Sequence, residues 1–581
     1  MRRMLISTQR PWFLTGMLVI TLGACKTLTT GPARVTSTTG GYAQSYMVAA
    51  AHPLASEAGL EMLRDGGSAA DAAIAAQMVL SLVEPQSSGI GGGGFLLHYN
   101  AKSGTIESFD GRETAPKSAH PRMFLKADGK PKKFFNAVVG GSAVGVPGLV
   151  RMLEMVHREH GKLPWAHLYG PAIRLAEKGF PLSPRLANQL SREKYLRETP
   201  AALGYFYHPS GATKPAGTVL KNRTFAKTMR QIAEGGADAF YNGPIAQSIV
   251  LAVRGSKRNQ GGMTLTDLAN YRAVKRKPVC ATYRAKLVCG MGPPSSGGLT
   301  ILQILGLLSG FDLKNMTPAS LEAVHLVGEA SALAFADRNT YIGDSDFVSV
   351  PADGMIDAGY LNRRAQQINI SRAGGRRKAG NPNVPGALLL SPHEGYEGPA
   401  TTHLSVIDAN GSAVSMTSSV ENAFGSRQMA SGFILNNQLT DFSFRPTRNG
   451  HDVANRAAAG KRPRSSMSPT LVFNEDDTLM MAVGSPGGSR IIGYVTKTLV
   501  GVIDWGLSMQ DAINLPNFLN RNRGLEIEKN SRLETLRPEL EALGHKVKAF
   551  KWHSGLHGVR VTPKGLEGGA DKRREGIALG D

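Results

Sequence analysis

Apolar residues recur with helical spacing along the first part of the chain. Between Ser56 and Leu63 they occupy one face of a predicted amphipathic helix that ends at Gly66-Gly67. Most residues from Ala69 to Val83 are apolar, so we predict a buried helix that ends before Pro85. The same spacing predicts further helices at Pro147–His160, Pro164–Lys178, Thr300–Leu308 and Leu321–Ala336.

A glycine-rich stretch separates the second helix from a predicted strand. Gly91–Gly94 leads into the largely apolar Phe95–Tyr99, which is typical of a β-strand. A dinucleotide-binding glycine loop leads into a helix instead. We therefore do not expect a nucleotide at this position.

Apolar and polar residues alternate after Thr401 and again over Ser412–Val420, so we predict two strands of a hairpin. Asn410-Gly411 between them is a strong signal for a two-residue turn. That turn pairs Thr402 with Ser419 and Thr401 with Val420, a register that is fixed only to within one residue.

Composition narrows the class of protein. Gly 68 and Pro 32 make 100 of 581 residues, about 17 %, below the roughly 25–30 % of low-complexity chains. At roughly 150 residues per domain, the length allows about three or four domains or fewer large layers. The chain is predicted to be globular and rich in loops.

The net charge of +22 comes from 67 Lys+Arg against 45 Asp+Glu. Its densest basic runs, 376–378 and 572–574, lack the aromatic residues that stack on bases. We expect no nucleic-acid partner and a solvated basic surface. Attraction to anionic lipid or cell-envelope polymer is the alternative.

The N-terminus has the pattern of a secretory signal. Three arginines precede an apolar stretch from Pro11 to Ala24, which is too short to span a membrane. Leu22–Cys25 resembles the lipobox of bacterial lipoproteins, with Cys25 as the lipidated first residue of the mature chain. Lys26 replaces the Asp that retains lipoproteins at the inner membrane, so we expect a periplasmic protein anchored in the outer membrane. An ordinary signal peptide and a soluble periplasmic protein are the alternative.

Two cysteines remain after Cys25. If Arg284-Ala285 is a two-residue hairpin loop, Cys280 and Cys289 lie directly opposite each other. A cross-strand disulfide and two buried thiols both fit this arrangement. No further ligand lies at metal-binding spacing, so we expect no metal here.

Three segments of the last third carry the small polar and glycyl residues that acyl-transfer sites use: 401–403, 461–470 and 484–490. The chain has no G-x-S-x-G motif, which argues against a Ser-His-Asp triad. A threonine whose own α-amine is the base needs no histidine. That chemistry requires cleavage of the Ala400–Thr401 bond.

From about Tyr42 to the C-terminus the sequence resembles the gamma-glutamyltranspeptidase (glutathione hydrolase) family. The blocks that carry the resemblance are 89–95, 110–116, 144–148, 293–298, 401–403, 435–438, 461–470 and 484–490. The resemblance implies an α/β (α+β) fold, a four-layer αββα sandwich of the N-terminal-nucleophile hydrolase type. It also implies a large subunit, which runs over 26–400 once the signal predicted over 1–25 is removed, and a small subunit over 401–581, associated as a heterodimer.

The resemblance assigns four catalytic positions. Thr401 is implied to be the nucleophile, first in self-cleavage and then on the gamma-amide of glutathione or a related compound. Ser419 is the hydroxyl residue beside it, where many members have Thr. Gly487 and Gly488 correspond to the oxyanion hole, whose backbone N–H groups stabilise a tetrahedral oxygen.

Six further positions are implied to bind the glutamyl group. Arg112, Ser465 and Ser466 correspond to the carboxylate-binding residues, and a guanidinium suits that task because it can donate two parallel bonds. Gln438 and Asp441 correspond to the residues that hold the ammonium. Glu421 stands where better-known members carry Asn, and Ser443–Arg464 is shorter than the lid-bearing segment of some members.

The implied partners are small gamma-glutamyl donors and amino acid or peptide acceptors, with no cofactor. One alternative keeps the fold but cleaves glutaryl or cephalosporin-type amides. Another is a non-catalytic binding protein anchored to the envelope, whose chain would remain uncut.

Overall fold

The computed structural model describes residues 40–382, 390–393, 395, 397–398 and 400–581. The predicted signal segment and Cys25 lie outside these residues. The strands are β1 Gly41–Ala43, β2 Met47–Ala50, β3 Gly93–Asn100, β4 Thr105–Gly111, β5 Phe180–Pro181, β6 Val219–Leu220, β7 Val274–Arg276, β8 Val279–Tyr283, β9 Lys286–Gly290, β10 Ala400–Ile407, β11 Ala413–Glu421, β12 Met429–Ala430, β13 Phe433–Ile434, β14 Thr447–Arg448, β15 His451–Asp452, β16 Thr470–Phe473, β17 Leu479–Gly484, β18 Phe518–Asn520, β19 Leu525–Glu528, β20 Val547–Phe550, β21 His557–Thr562, β22 Gly565–Ala570 and β23 Ile577–Gly580.

The helices include both of those predicted before Pro85. They are α1 Pro53–Arg64, α2 Ala69–Val83, α3 Phe134–Val138, α4 Leu149–His160, α5 Gly170–Lys178, α6 Pro184–Arg192, α7 Pro200–Phe206, α8 Arg223–Gly235, α9 Asp238–Tyr241, α10 Gly243–Arg254, α11 Leu265–Ala269, α12 Gly297–Leu308, α13 Leu321–Tyr341, α14 Ala352–Ile356, α15 Ala358–Ala365, α16 Ile491–Ile503, α17 Met509–Asn514 and α18 Arg537–Ala542. Among the described residues, every helix is too short or too polar to cross a membrane.

Two large sheets stand at the centre of the fold. One has the strand order β1-β22-β21-β17-β16-β9-β8, and the other has the order β23-β2-β10-β11-β3-β4-β7. Both are antiparallel throughout. Each sheet combines strands from before and after Thr401, so the two predicted subunits share both sheets and neither sheet belongs to one subunit alone.

Alternation along the strands separates three apolar layers. In β2, Met47 and Ala49 pack in a core with Leu471 and Val559 of the other sheet. Val48 and Ala50, which point the opposite way, pack in the core that contains α1 and α2. On the far side, α12, α13 and α16 cover the sheet that contains β16 and β17. The layers therefore run helix, sheet, sheet, helix, which confirms the predicted αββα architecture.

Local signals explain where α2 begins. The Ser68 hydroxyl oxygen accepts the Asp71 N–H, and the Ser68 N–H donates to the Asp71 carboxylate, which together form a capping box. All fifteen residues of α2 are buried, as the unbroken apolar pattern predicted.

The predicted helix at 321–336 proved too short. The helix continues to Tyr341, and its last turns bury Asp337 and Arg338. Both side chains are paired with charged partners inside the fold. The apolar pattern ends where Asp337 and Arg338 begin, but the helix continues because these two charges are buried with partners.

The hairpin of β8 and β9 has the predicted register. Cys280 pairs with Cys289 and Tyr283 with Lys286 across the loop Arg284-Ala285, in which both residues have positive φ. Cys280 and Cys289 form a disulfide, with their Cα atoms 4.2 Å apart. Of the two arrangements left open by the sequence, the structure therefore has the disulfide.

The predicted register of β10 and β11 is wrong by one residue. Ile407 pairs with Ala413, and the Asp408 N–H donates to the Ser412 carbonyl across a three-residue loop in which Gly411 has a φ of 80°. A type I turn followed by a left-handed glycine bulge forms this loop instead of a two-residue turn. As a result Thr401 pairs with Ser419, and their side chains lie on the same face of the sheet.

Candidate active site around Thr401

Thr401 lies at the start of β10, in the middle of its sheet between β2 and β11. The register shifts beside it, because Ala400 pairs with Glu421 while Thr401 pairs with Ser419. Glu421, at the end of this bulge, has a φ of 79°, a left-handed conformation that costs a non-glycine residue energy. The pairing is therefore irregular beside the bond that precedes Thr401, and the strained residue is Glu421 on the neighbouring strand.

Three oxygen atoms converge at this bond. Thr401 Oγ1 lies 3.2 Å from Ser419 Oγ, and the Ser419 hydroxyl donates to the Ala400 carbonyl oxygen at 2.7 Å. Ser419 Oγ in turn accepts the backbone N–H of Glu421 at 2.8 Å. Since Ser419 already uses its proton on the Ala400 carbonyl, its oxygen is free to accept the proton of the Thr401 hydroxyl.

A cavity of about 20 Å³ opens in front of these atoms. Nine of the ten residues predicted for the site line it, and Gly487 does not. The lining residues are Arg112, Glu397, Gly398, Thr401, Ser419, Glu421, Gln438, Asp441, Ser465, Ser466, Met467, Gly488 and Ile491. Glu397 and Gly398, which precede the cleavage site, are among the lining residues and take up part of this space.

Arg112 forms the boundary between the basic and acidic residues of the cavity. Its Nη2 donates to Asp441 Oδ2 at 2.6 Å and its Nε donates to the Pro463 carbonyl at 3.0 Å. Nη1 makes no hydrogen bond within the described residues and lies 3.6 Å from the Glu113 carboxylate. One edge of this predicted carboxylate-binding group is therefore engaged, and Nη1 remains for a ligand.

The acidic side of the cavity contains Asp441, Gln438 and Glu421. Gln438 donates to the Asp441 carboxylate at 3.1 Å. Burial raises the pKa of Asp441 to about 7, although Arg112 acts to lower it. Burial, and then the charge of Asp441, raise the pKa of Glu421 well above its ordinary value. A cationic ligand would stabilise the ionised form of both carboxyls and so offset the effect of their burial.

The two predicted glycines lie beneath the chain before the cut. Gly487 and Gly488 both have positive φ, of 139° and 60°. A Cβ atom at Gly488 would lie 2.5 Å from the Glu397 carbonyl oxygen, so only glycine permits this approach. Gly488 lines the cavity, whereas a Cβ atom at Gly487 would meet the Tyr494 ring.

Comparison with known proteins agrees with this geometry. Residues 55–581 match the sequence profile of the Gamma-glutamyltranspeptidase family. The chain belongs to this family. The glutathione hydrolase proenzyme of Bacillus subtilis is 37% identical over 545 residues, 92% of this chain and 91% of that protein. The glutathione hydrolase proenzyme of Escherichia coli is also 37% identical, over 543 residues and 91% of both chains.

Solved structures place the fold in the same group. The gamma-glutamyltranspeptidase of Helicobacter pylori has a TM-score of 0.53 at 35% identity. The match covers 61% of this chain and 97% of the Helicobacter pylori chain. A cephalosporin acylase from Bacillus halodurans has a TM-score of 0.81 at 26% identity, with 95% and 98% coverage. The predicted family, its enzyme class and the N-terminal-nucleophile fold are confirmed.

Sequence reasoning missed three charged residues of this gamma-glutamyltranspeptidase site. Arg574 Nη1 donates to the Thr401 carbonyl at 2.8 Å. Glu397 lines the cavity and pairs with Arg338, which also donates to Ser466 of the cavity lining. The signal for Arg338 was a charge inside an apolar helix. Arg574 sits in a basic run that we had assigned to the solvated surface, and this assignment is wrong for Arg574 because the residue is buried.

One group of described residues outside the site has metal-ligand composition: His98, Glu107 and His160, with ligand atoms within 4.8 Å. The two imidazoles stack at 3.7 Å and 14°, so their ring nitrogens point along nearly parallel planes. Lys275 also forms an ion pair with Glu107. Stacked rings and an adjacent cation explain this group as a packed ion pair.

Proposed function

We propose that this chain is a gamma-glutamyl hydrolase and transferase that works through an ester on Thr401. The observation that carries the proposal is the contact of Thr401 Oγ1 with Ser419, whose hydroxyl holds the Ala400 carbonyl. This arrangement opens into a cavity whose lining includes the Arg112 guanidinium and the Ser465 and Ser466 hydroxyls as well as the carboxyls of Asp441 and Glu421.

The first reaction is cleavage of the chain itself. Thr401 Oγ1 attacks the Ala400 carbonyl carbon while the Ser419 hydroxyl stabilises the developing oxyanion. The C–N bond breaks, and the Thr401 hydroxyl proton ends on the leaving nitrogen as part of a free amine. Water then hydrolyses the ester, which gives an Ala400 carboxylate and restores the Thr401 hydroxyl. The products are the proposed large and small subunits, 26–400 and 401–581.

In each catalytic cycle the same chemistry is repeated on a gamma-glutamyl compound, the donor of the glutamyl group. The free Thr401 amine, with an ordinary pKa of about 7.7–8.0, accepts the hydroxyl proton as Oγ1 attacks the gamma-amide. The backbone N–H groups of Gly487 and Gly488 stabilise the tetrahedral oxygen, and the amine leaves with the proton. Water or the amine of an amino acid or peptide then takes the glutamyl group from Thr401.

A glutamyl donor suits both sides of the cavity. Its α-carboxylate requires cationic or hydroxyl donors, which Arg112, Ser465 and Ser466 supply. Its α-ammonium requires acceptors, which Asp441 and Gln438 supply. A glutaryl donor lacks the ammonium and would leave the Asp441 charge without a ligand partner.

A second candidate is an acylase on the same fold. The Acylase ACY 1 proenzyme of Pseudomonas sp. (strain SE83) is 34% identical over 544 residues, 92% of this chain and 93% of that protein. The structural likeness to a cephalosporin acylase points the same way. The buried Asp441 carboxylate is the observation that favours gamma-glutamyl over glutaryl donors.

We further propose a periplasmic protein held at the outer membrane by lipid on Cys25. The support is the sequence Leu22–Cys25 after an arginine-rich start, with Lys26 following. Metabolic labelling with a fatty acid, in the wild type and in Cys25→Ser, tests this proposal. Loss of the label and release of a soluble protein are expected in the variant.

The cleavage is tested on the signal-free protein by denaturing gel, intact mass and N-terminal sequencing. We expect two chains, one of which begins at Thr401, and a single chain for Thr401→Ala. An uncut wild-type chain that releases nothing from a gamma-glutamyl anilide would reject the proposal in favour of a binding protein.

The donor class is tested by comparing gamma-glutamyl and glutaryl anilides. A higher kcat/KM for the gamma-glutamyl compound is expected. The opposite order would identify an acylase.

A further inference from the structure

The segment before the cleavage site carries an acidic side chain into the cavity. Glu397 lies four residues before Thr401, and only 6% of its side chain is exposed. Its carboxylate accepts hydrogen bonds from the Arg338 guanidinium and the Ser466 hydroxyl. Arg464 Nη2 lies 4.0 Å from the same carboxylate. A carboxylate of the chain thus lies in the cavity beside the Ser466 hydroxyl, with the guanidinium groups of Arg338 and Arg464 within 4.0 Å.

Arg338 is held in one orientation by its neighbours. Its Nε donates to Ser296 Oγ at 2.8 Å, and its Nη1 donates to Asn339 Oδ1 at 2.9 Å. Its Nη2 donates to Ser466 Oγ at 2.6 Å as well as to Glu397. Because a guanidinium is planar, these bonds fix the direction of Nη2. Arg338 therefore points at the same place whether or not Glu397 occupies it.

Two buried cations depend on Glu397. Within the described residues, Arg338 forms no ion pair with any other carboxylate. Burial and the neighbouring Arg338 lower the pKa of Arg464 to about 9. Burial opposes the ionisation of Glu397, yet Arg338 and Arg464 hold its pKa below the ordinary value. Once Glu397 leaves, Arg338 lacks an anion, a costly state for a buried charge, and Arg464 is left with the more distant Asp441.

We propose that Arg338, together with Ser466, binds the α-carboxylate of the donor, and that Glu397 fills this subsite until the chain is cut. This inference rests on the proposed function, since it requires a donor that carries a carboxylate. Arg112 uses Nη2 and Nε on Asp441 and Pro463. Arg338 therefore supplies the second guanidinium of the subsite.

Glu397 and a donor exclude each other. The Gly398 N–H donates to the Glu421 carboxylate on the acidic side. The carbonyl oxygens of Glu397 and Gly398 lie 2.5 Å and 2.8 Å from the place of a Cβ on Gly488. The segment thus covers the carboxylate, ammonium and oxyanion positions together, and it has to leave before a donor enters.

Three anilides separate the contributions of the two charged groups of a donor. Gamma-glutamyl anilide carries the carboxylate and the ammonium, glutaryl anilide keeps the carboxylate alone, and 4-aminobutyryl anilide keeps the ammonium alone. KM and kcat are measured for each with wild type, Arg338→Gln, Arg338→Lys and Ser466→Ala, after a gel has shown that each protein is cut.

For Arg338→Gln we expect KM to rise about 10- to 100-fold with the two carboxylate donors, the range for a hydrogen bond to a charged group. KM for 4-aminobutyryl anilide should stay within about twofold. KM of Arg338→Lys should fall between that of wild type and that of Arg338→Gln, since lysine keeps the charge but lacks the planar pair of guanidinium donors. If either Arg338 variant remains uncut, Ser466→Ala is measured in its place. We expect its KM to rise with the two carboxylate donors and to stay unchanged with 4-aminobutyryl anilide.

Arg364→Gln is the matched control. Arg364 is buried and pairs with Asp337, the residue next to Arg338 in the sequence, but within the described residues it bonds neither Glu397 nor Ser466. We expect any loss of activity in this variant to be equal for all three donors.

Glu397→Gln tests the second part of the proposal. Cleavage should slow, because Arg338 loses its anion in the uncut chain, while KM of the cut enzyme should equal that of wild type. An equal loss on all three donors in Arg338→Gln, no change at all, or a changed KM in cut Glu397→Gln would overturn the inference. Wild type that is inactive on gamma-glutamyl anilide would instead reject the proposed function.

Discussion

The two sides of the Thr401 cavity neutralise their buried charges differently. On the basic side, Arg338 and Arg464 face Glu397, which belongs to the segment before the cut. On the acidic side, Asp441 pairs with Arg112 at 2.6 Å, and both residues lie outside that segment. One side thus has a removable counter-ion and the other has a permanent one.

This difference indicates what cleavage changes. Departure of Glu397 exposes positive charge on the basic side, while the Arg112–Asp441 pair stays intact. The charge of Glu397 also contributes to raising the pKa of Asp441, after burial. Cleavage therefore prepares both ends of a zwitterionic donor, by freeing cations at one end and favouring an ionised Asp441 at the other.

Blocking the cut should hold both sides in the paired state. Ser419→Ala removes the hydroxyl that bonds the Ala400 carbonyl, so cleavage should slow about 100- to 1000-fold, as for loss of an oxyanion donor. A time course of subunit appearance on a gel measures this rate. Ser418→Ala is the control, because Ser418 bonds Gln77 instead and does not line the cavity. Equal cleavage rates in Ser419→Ala and wild type would remove Ser419 from the mechanism.

Removing the permanent counter-ion should cost the folded protein stability. Asp441→Asn leaves Arg112 buried without its partner, a change worth about 3–5 kcal/mol. The free energy of unfolding in urea is measured on cut proteins, with Glu397→Gln as the comparison. We expect that variant to lie within about 0.5 kcal/mol of wild type, because its side chain has left the cavity. Equal losses in the two variants would contradict the contrast between the two sides.

The acidic side should also respond to pH. In the uncut chain burial raises the pKa of Asp441 to about 7, and the charge of Glu397 adds to the rise. In the cut enzyme the ionised fraction should therefore fall as pH drops through a value no higher than about 7. KM for gamma-glutamyl anilide should therefore rise toward low pH, by at most about tenfold per pH unit, while KM for glutaryl anilide should not follow it. The ratio of the two KM values cancels effects of the Thr401 amine. A flat ratio between pH 5 and 8 would mean that Asp441 does not hold the ammonium.

Much of the fold could be predicted from local patterns. The helix at 69–83 and the hairpin of Cys280 and Cys289 have the predicted bounds and register, because a capping box and a two-residue loop determine them. The register at Thr401 could not be predicted, since a left-handed Gly411 adds a residue to the loop. That single residue decides whether Ser419 faces Thr401.

The site was predictable where motifs carry it and hidden where tertiary packing creates it. Nine of ten positions assigned by resemblance line the cavity. Arg338 and Glu397 were not predicted, because their pairing joins a helix to a segment 59 residues later in the chain. No periodic pattern in the sequence encodes such a contact. The assigned roles themselves stay predictions until variants are measured.

The smallest effect is expected at Glu421, where charge should matter least. Burial and the neighbouring Asp441 raise its pKa well above the ordinary value, which favours the neutral carboxyl. Glu421→Gln keeps the size and the hydrogen-bonding capacity, and KM for gamma-glutamyl anilide should stay within about threefold, as for an uncharged hydrogen bond. Asp441→Asn, measured alongside, should raise the same KM at least tenfold. Similar losses in both variants would show that the acidic side acts through two charges, with Glu421 ionised in the cut enzyme.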